Sequence, residues 1–311
     1  MKLQRYTQTE TLMGCGFKLG LVLDDPKRAT ELLTAGIAEI RRIEAVLTEF
    51  NETSMTGQLN YQAGGAAVEI SEEFMQLMIR CKGLYRMTQG YFDPSAAVLK
   101  GIYRFDGQYA RLPGNQQLNK QMELVGFDKI EFHTEKKQAR LPVAGMRINF
   151  AAIGKGYAAD RVRTIWQDAG VHGGIINASG DLCSFGKDEK GKDWTVGISD
   201  PDQEGRFILH LPISDRAIAT SGNKYQYFIH QGKRYSHNLD PTTGKAISGI
   251  KSVSVISPSA ELSDALATAI HAMGVRKGLG FANQLPSTHV VIIDDNNHIH
   301  FSKNLDYAAT S

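Results

Sequence analysis

An α+β fold, with mixed sheets beside long helices, is what this 311-residue sequence predicts. Three observations carry the reading. Short alternating segments suited to strands recur along the chain, long helical stripes are few, and the two do not follow one another as regular βα units. The length allows one large domain or two α+β lobes, and residues 1–311 are read as a single domain.

The elements follow in order. Strand candidates occupy 6–23, with Met13-Gly14-Cys15-Gly16 inside them as a bulge or a point of close approach. Asp25 and Pro26 supply an N-cap and a first-turn proline for a helix to Phe50, striped by Leu32, Leu33, Ile37, Ile40, Ile43, Leu47 and Phe50. Ser71 caps a second helix that runs to Thr88 and ends at Gly90. Residues 101–140 read as irregular and turn-rich, with short strands. Further strands are expected at 147–150, 174–178, 194–198, 207–211, 217–220 and 225–229, with a helix after Gly154. Residues 252–256 alternate as a strand and Ser257-Pro258-Ser259 breaks it. The helix that follows is striped by Leu262, Ala265, Leu266, Ala269, Ile270 and Met273, and Gly274 is its expected stop. Segments 288–293 and 298–301 flank Asp294-Asp295-Asn296-Asn297 as a hairpin.

Charge and composition narrow the function. With 35 basic and 33 acidic residues no basic patch dominates, which argues against nucleic acid or an anionic membrane surface as partner. No apolar run is long enough to span a bilayer. The first ten residues are polar and show neither a signal-peptide core nor a lipobox, so the expectation is a cytoplasmic protein, or the mature form of an exported one given a new Met. Cys15, Cys81 and Cys183 are scattered and odd in number, without metal or disulfide spacing, and each reads as a small buried hydrophobe.

Two segments carry most of the chemistry. In the first, Tyr235, His237 and Leu239 alternate with Arg234, Ser236 and Asn238 before the turn Asp240-Pro241-Thr242-Thr243-Gly244, which puts His237 near a strand end, beside a carboxylate and a loop. A core histidine bonded to Asp240 is an equal reading of that segment alone. In the second, Asp264 and Thr268 lie four apart on one helix face among alanines, where oxygen donors let a hard cation approach; a solvated polar face is the blander reading. Four small-residue segments suit ligand loops, though any one of them alone is usually just a turn: Met13 to Gly16, Asn149 to Tyr157 with Lys155 at a helix start, Asn177 to Asp181, and Thr220-Ser221-Gly222-Asn223. Tyr91-Phe92-Asp93-Pro94 is a further turn of this kind.

In this order the segments resemble the ApbE family, the FAD:protein FMN transferases. The resemblance runs from Met13 to Gly274 and rests on several motifs: Met13-Gly14-Cys15; the stretch from Phe50 through Asn60; Gly90-Tyr91-Phe92-Asp93-Pro94; Ala152-Ile153-Gly154-Lys155-Gly156-Tyr157; Ser179-Gly180-Asp181; Ser221-Gly222; Tyr235 to Gly244; and Asp264 to Ala269. It implies an ApbE-like (T-fold-like) α+β fold with FAD in a groove. It also implies a reaction: with Mg²⁺, FMN passes from FAD to a Thr or Ser hydroxyl of an acceptor flavoprotein bearing an Asp-x-x-Thr or Asp-x-x-Ser type motif, and AMP leaves. His237 would be the general base, oriented by Asp240. Asp264, Thr268 and the Gly154 carbonyl would hold Mg²⁺. Met13, Asn60, Tyr91, Asp93, Lys155, Asp181, Ser221 and Gly222 would bind FAD.

This chain departs from the family pattern at small residues: Cys15 for Thr, Asn149 for Asp, Ala151 and Ala152 for Gly, Gly154 for Ala and Ser179 for Gly. None of these removes the base or the metal carboxylate. Two alternatives stand beside the transferase: a Mg²⁺-dependent FAD pyrophosphatase yielding FMN and AMP, with Asn60 in the region that would tune it, and a non-catalytic FAD-binding protein.

Overall fold

The computed structural model describes residues 2–103, 112–203, 205–222, 227–230, 232–303, 305 and 308–309. Parts of the expected irregular stretch, Asn223 and the start of the 225–229 strand lie outside these. The chain opens with β1 (Gln4–Leu12), β2 (Cys15–Leu23), α1 (Pro26–Leu47), α2 (Met55–Tyr61), β3 (Val68–Glu69) and α3 (Glu72–Met87). A 3₁₀ segment, Pro94–Ile102, leads to α4 (Asn115–Met122), β4 (Glu131–His133), β5 (Gln138–Arg140) and α5 (Gly154–Asp168). Then come β6 (Gly173–Ala178), β7 (Asp181–Gly186), β8 (Thr195–Ser199), β9 (Phe207–Pro212), β10 (Ala217–Gly222), β11 (Tyr227–His230), β12 (Lys233–Leu239), β13 (Ala246–Ser248) and β14 (Ile250–Ser257). The described chain ends with α6 (Ala260–Ala282), β15 (His289–Asp294), β16 (Ile299–Phe301) and β17 (Ala308–Ala309).

An eight-stranded sheet in the order β1-β2-β6-β7-β10-β14-β15-β16 forms the frame, with three small sheets beside it. Phe17, Leu19, Leu21 and Leu23 alternate from β2 into a core shared with α1, α3 and α5. Val22, Leu182, Ile218 and Ile256 leave the other face and meet Trp194, Leu209 and Leu211 around β8 and β9. Among the described residues no helix is long and apolar enough to cross a membrane.

Local chemistry explains three of the helix starts. Asp25 accepts from the Lys27 and Arg28 amides, Ser71 from Phe74 and Ser259 from Leu262, so each helix starts where a side-chain oxygen satisfies its first free N–H groups. Three expectations are corrected. Met13 (φ 51°) and Gly14 (φ 74°) are the two-residue turn of the β1–β2 hairpin, with Leu12 opposite Cys15, and not a bulge within a strand. Helix α1 ends at Leu47, and Phe50 is 92% exposed, outside its stripe. Residues 147–150 form no ladder, because the Asn60 side-chain amide takes the strand partner's place: it donates to the Ile148 carbonyl at 3.0 Å and accepts from the Ile148 amide at 2.7 Å. Gly274, at φ 81°, is non-helical and ends the first run of α6 where the sequence expects a stop, and a second helical run follows it across a kink to Ala282.

Charged side chains clamp the helices. The Glu73 carboxylate of α3 accepts from both terminal nitrogens of Arg42 on α1, at 2.7 and 2.8 Å, and from the Tyr157 hydroxyl of α5 at 2.6 Å. The Arg42 bonds, followed by the Tyr157 bond and outweighing partial burial, hold its pKa down to about 2, from an ordinary 4.5. A pKa lowered in the folded state contributes stability above the unfolded value and loses it as pH falls through the folded one. Glu73→Gln is therefore expected to cost about 1 kcal/mol at neutral pH, a modest figure because solvent screens this part-exposed pair. In urea unfolding the gap from wild type should close between pH 4.5 and 2; a gap that persists at low pH would put the effect in packing instead.

Candidate active site

At one end of the large sheet, β2 begins, β6 turns into β7 and β10 ends. A groove of about 510 Å³ opens there. Its walls come from Cys15, the Tyr91–Lys100 region, Asn149 to Lys155, the β6–β7 turn, the end of β10, β12 and α6. Of the residues singled out in the sequence, it brings together Tyr91, Asp93, Lys155, Asp181, Ser221, Gly222, His237, Asp264 and Thr268.

Close helix packing sets the floor. A Cβ on Gly156 would lie 2.2 Å from the Ala260 carbonyl oxygen, so only glycine lets the start of α5 meet the start of α6. That contact puts Lys155 beside Asp264. The Lys155 ammonium lies 3.0 Å from Asp181 Oδ2 and 3.5 Å from Asp264 Oδ2, and the Gly156 amide donates to Asp264 at 3.3 Å. Asp181 is held from its other oxygen by the Thr220 amide at 3.1 Å. Burial works against the charge on Lys155, but Asp264 and Asp181 outweigh it and raise its pKa, so the ammonium stays protonated. Burial raises the Asp264 pKa, and the neighbouring Asp181 adds to the rise. The solvated-face reading of Asp264 is thus overturned: the residue is 5% exposed.

Two water-shielded carboxylates around one ammonium, with Thr268 lining the same groove, offer oxygen donors. Such a set fits a hard divalent cation, and magnesium needs few protein ligands. Among the described residues no cluster of three or more His, Cys, Asp or Glu could hold a metal, so any cation here would keep waters or ligand oxygens.

His237 is half-buried on β12 and lines the groove. Strict alternation would turn its neighbour Asn238 to the opposite face. The β12–β13 register instead shifts between Tyr235 and Leu239, and His237, Asn238 and Leu239 all reach the groove. Asp93 caps the 3₁₀ segment and accepts from the Ser95 amide and hydroxyl, at 2.8 and 2.6 Å; burial, partly offset by these bonds, lifts its pKa to about 6. Lys277 stands over the Tyr91 ring at 4.3 Å.

Four singled-out residues lie outside the lining. Asp240 spends its carboxylate on its own turn, accepting from the Thr242 amide and hydroxyl and from the Thr243 hydroxyl, and so shapes the loop that brings Pro241 to the groove. Asn60 supports the wall from behind through Ile148. Met13 packs where a Gly154 side chain would be, 3.3 Å from a Cβ built there, and Gly154 itself is buried beneath the groove. Cys15, read as a buried hydrophobe, is half-exposed at the groove wall, unlike Cys81 and Cys183. The sequence reading gave no role to Asn238 or His271. The signal for His271 was its position seven residues after Asp264 and three after Thr268, on the same helix face.

The architecture matches solved proteins. The ApbE protein of Thermotoga maritima superposes with a TM-score of 0.85 over 96% of this chain and 97% of its own, at 28% identity. The apo flavinyl transferase ApbE of Pseudomonas stutzeri gives 0.85 over 97% and 96%, at 23% identity, a likeness of fold alone. Fold and groove thus define an α+β protein of the class these two structures represent. In sequence, a Klebsiella pneumoniae relative named FAD:protein FMN transferase is 26% identical over 296 residues, 94% of this chain and 90% of the relative. The ApbE family profile matches residues 13–292, and the chain belongs to the ApbE family.

Proposed function

We propose that this protein transfers FMN from FAD to a Thr or Ser hydroxyl of an acceptor protein and releases AMP. The observation that carries the reading is the convergence of His237, Lys155, Asp181, Asp264 and Thr268 on one groove. His237 takes the proton of the acceptor hydroxyl. That oxygen attacks the flavin-side phosphorus, a phosphoester bond forms, and the bond from this phosphorus to the bridging oxygen breaks, the bridging oxygen leaving with AMP. The leaving phosphate has a second pKa of about 6, so it needs little acid assistance. The chain's work is then to hold the line of attack and offset negative charge. Lys155 meets the pyrophosphate at the N-terminus of α5, where free amides also favour anions. Asp264 and Thr268 would hold Mg²⁺, with the carboxylate of Asp181 nearby. When bound, the ion would neutralise pyrophosphate charge.

The acceptor is proposed to carry an Asp-x-x-Thr or Asp-x-x-Ser type motif. The test is intact-mass spectrometry of an acceptor domain bearing Asp-Gly-Ala-Thr after incubation with the protein, FAD and Mg²⁺. A gain equal to an FMN phosphoester is expected. Free FMN and AMP without adduct would replace the transferase by the pyrophosphatase, and unconsumed FAD would leave only a binding role.

A further inference from the structure

Helix α6 carries a third polar residue on the face that bears Asp264 and Thr268. His271 is fully buried. Its Nδ1 lies 3.2 Å from Ser221 Oγ and 3.2 Å from Asn238 Nδ2, and Asn238 Nδ2 donates to Ser221 Oγ at 3.0 Å. The three side chains close a triangle between α6, the end of β10 and β12. Both partners of His271 line the groove, and Asn238 is the residue next to His237.

The triangle has a fixed polarity. An amide nitrogen only donates, so Nδ1 of His271 accepts, and its hydrogen sits on the other ring nitrogen. That requires a neutral ring. Burial pushes the His271 pKa down to about 4, the charge on His237 adds to the drop, and the Ile250 backbone acts the other way. A buried acceptor of this kind is costly unless satisfied, so it ties Asn238 firmly. It does so where the β12–β13 register is broken and the ladder alone leaves the strand's aim loosely set.

We infer that His271 is a positioning residue: through Asn238 and Ser221 it locks the strand bearing His237 to the helix bearing Asp264 and Thr268. One helix thereby sets the distance between base and phosphate-binding groups. The inference rests on the proposed transfer reaction and goes beyond it in assigning a residue that touches neither FAD nor acceptor.

The experiment compares wild type, His271→Leu and His271→Gln in flavinylation of the Asp-Gly-Ala-Thr acceptor. His271→Leu keeps the volume and removes the acceptor atom. The expected result is a fall in kcat of about 10- to 100-fold, the size of a misplaced reacting group. The KM for FAD should change little, and thermal unfolding should stay cooperative. His271→Gln offers a carbonyl oxygen to Asn238 and should recover most of the loss. The rise of kcat with pH should keep its position in His271→Leu, because His271 is not the group that titrates. An unchanged kcat, no recovery with Gln, a loss confined to KM, or a pH profile that loses its rising limb would each overturn the inference. Should His271→Leu fail to fold, Asn238→Ala, at a half-buried strand position, breaks the same triangle and must show the same kcat loss. A wild type that consumes no FAD would overturn the proposed function and this inference with it. An active wild type with an unaffected variant would overturn the inference alone.

Discussion

His237→Ala is expected to lower the rate of flavin transfer by about 10²- to 10⁴-fold, the range that a positioned general base supplies. The His237 imidazole lines the groove, and an imidazole is the side-chain type suited to taking a proton at working pH. Lys155 keeps its proton because Asp264 and Asp181 hold it charged. Asp181 and Asp264 are engaged with that ammonium. The folded state should survive the change, since His237 is half-buried on a short strand and adds nothing to the large apolar clusters. The measurement is acceptor mass against time beside a thermal melt. Transfer at the wild-type rate would remove His237 from the mechanism.

Asp264→Asn should abolish Mg²⁺-dependent turnover with little change in stability. The amide fits the same space and still accepts from the Gly156 N–H, which now donates at 3.3 Å. Lys155 keeps its closer partner, Asp181, at 3.0 Å. Removing a buried charge whose folded form is disfavoured by desolvation relieves part of its cost, and this offsets the lost pairing with Lys155. What the variant lacks is the anionic oxygen that a hard cation requires. A magnesium titration of turnover, with urea unfolding of the same samples, separates the effects. Retained magnesium dependence would move the ligand elsewhere, and a large fall in stability would make Asp264 a structural residue.

Much of this architecture was legible where local chemistry decides it. The caps at Asp25, Ser71 and Ser259 start helices where the sequence predicts them, because a side-chain oxygen meets a free amide only a few residues away. The closing hairpin followed from strand-like flanks around an Asp-Asn run, and β15 pairs with β16. Strand β7 was missed because both its faces are covered, so no polar alternation marks it. The segment 147–150 misled because its strand-like composition is satisfied by one side chain, Asn60, from 88 residues away in sequence. Within the site, the groove is lined by His237, Lys155 and Asp264, which the sequence singles out, and also by Asn238, to which it gives no role. A register shift is a property of two strands, and period-two reading of one cannot reveal it.

The groove takes its walls from Cys15 near one end of the chain and Thr268 near the other. The sheet beneath it needs Phe17 to pair with Ala178 and Ser221 with Val253. Such closures across long stretches of chain carry a large entropic cost and come late, after hairpins such as β1–β2 have formed locally. No partly folded chain therefore owns a groove, and an occupant has only the complete fold to bind. Its binding energy falls wholly on the native side of the folding equilibrium, about 2.7 kcal/mol when the occupant is at a hundredfold its Kd. Occupancy of the groove is in this way a report on the whole chain, and a chain cut anywhere between β2 and α6 has no comparable protection to gain.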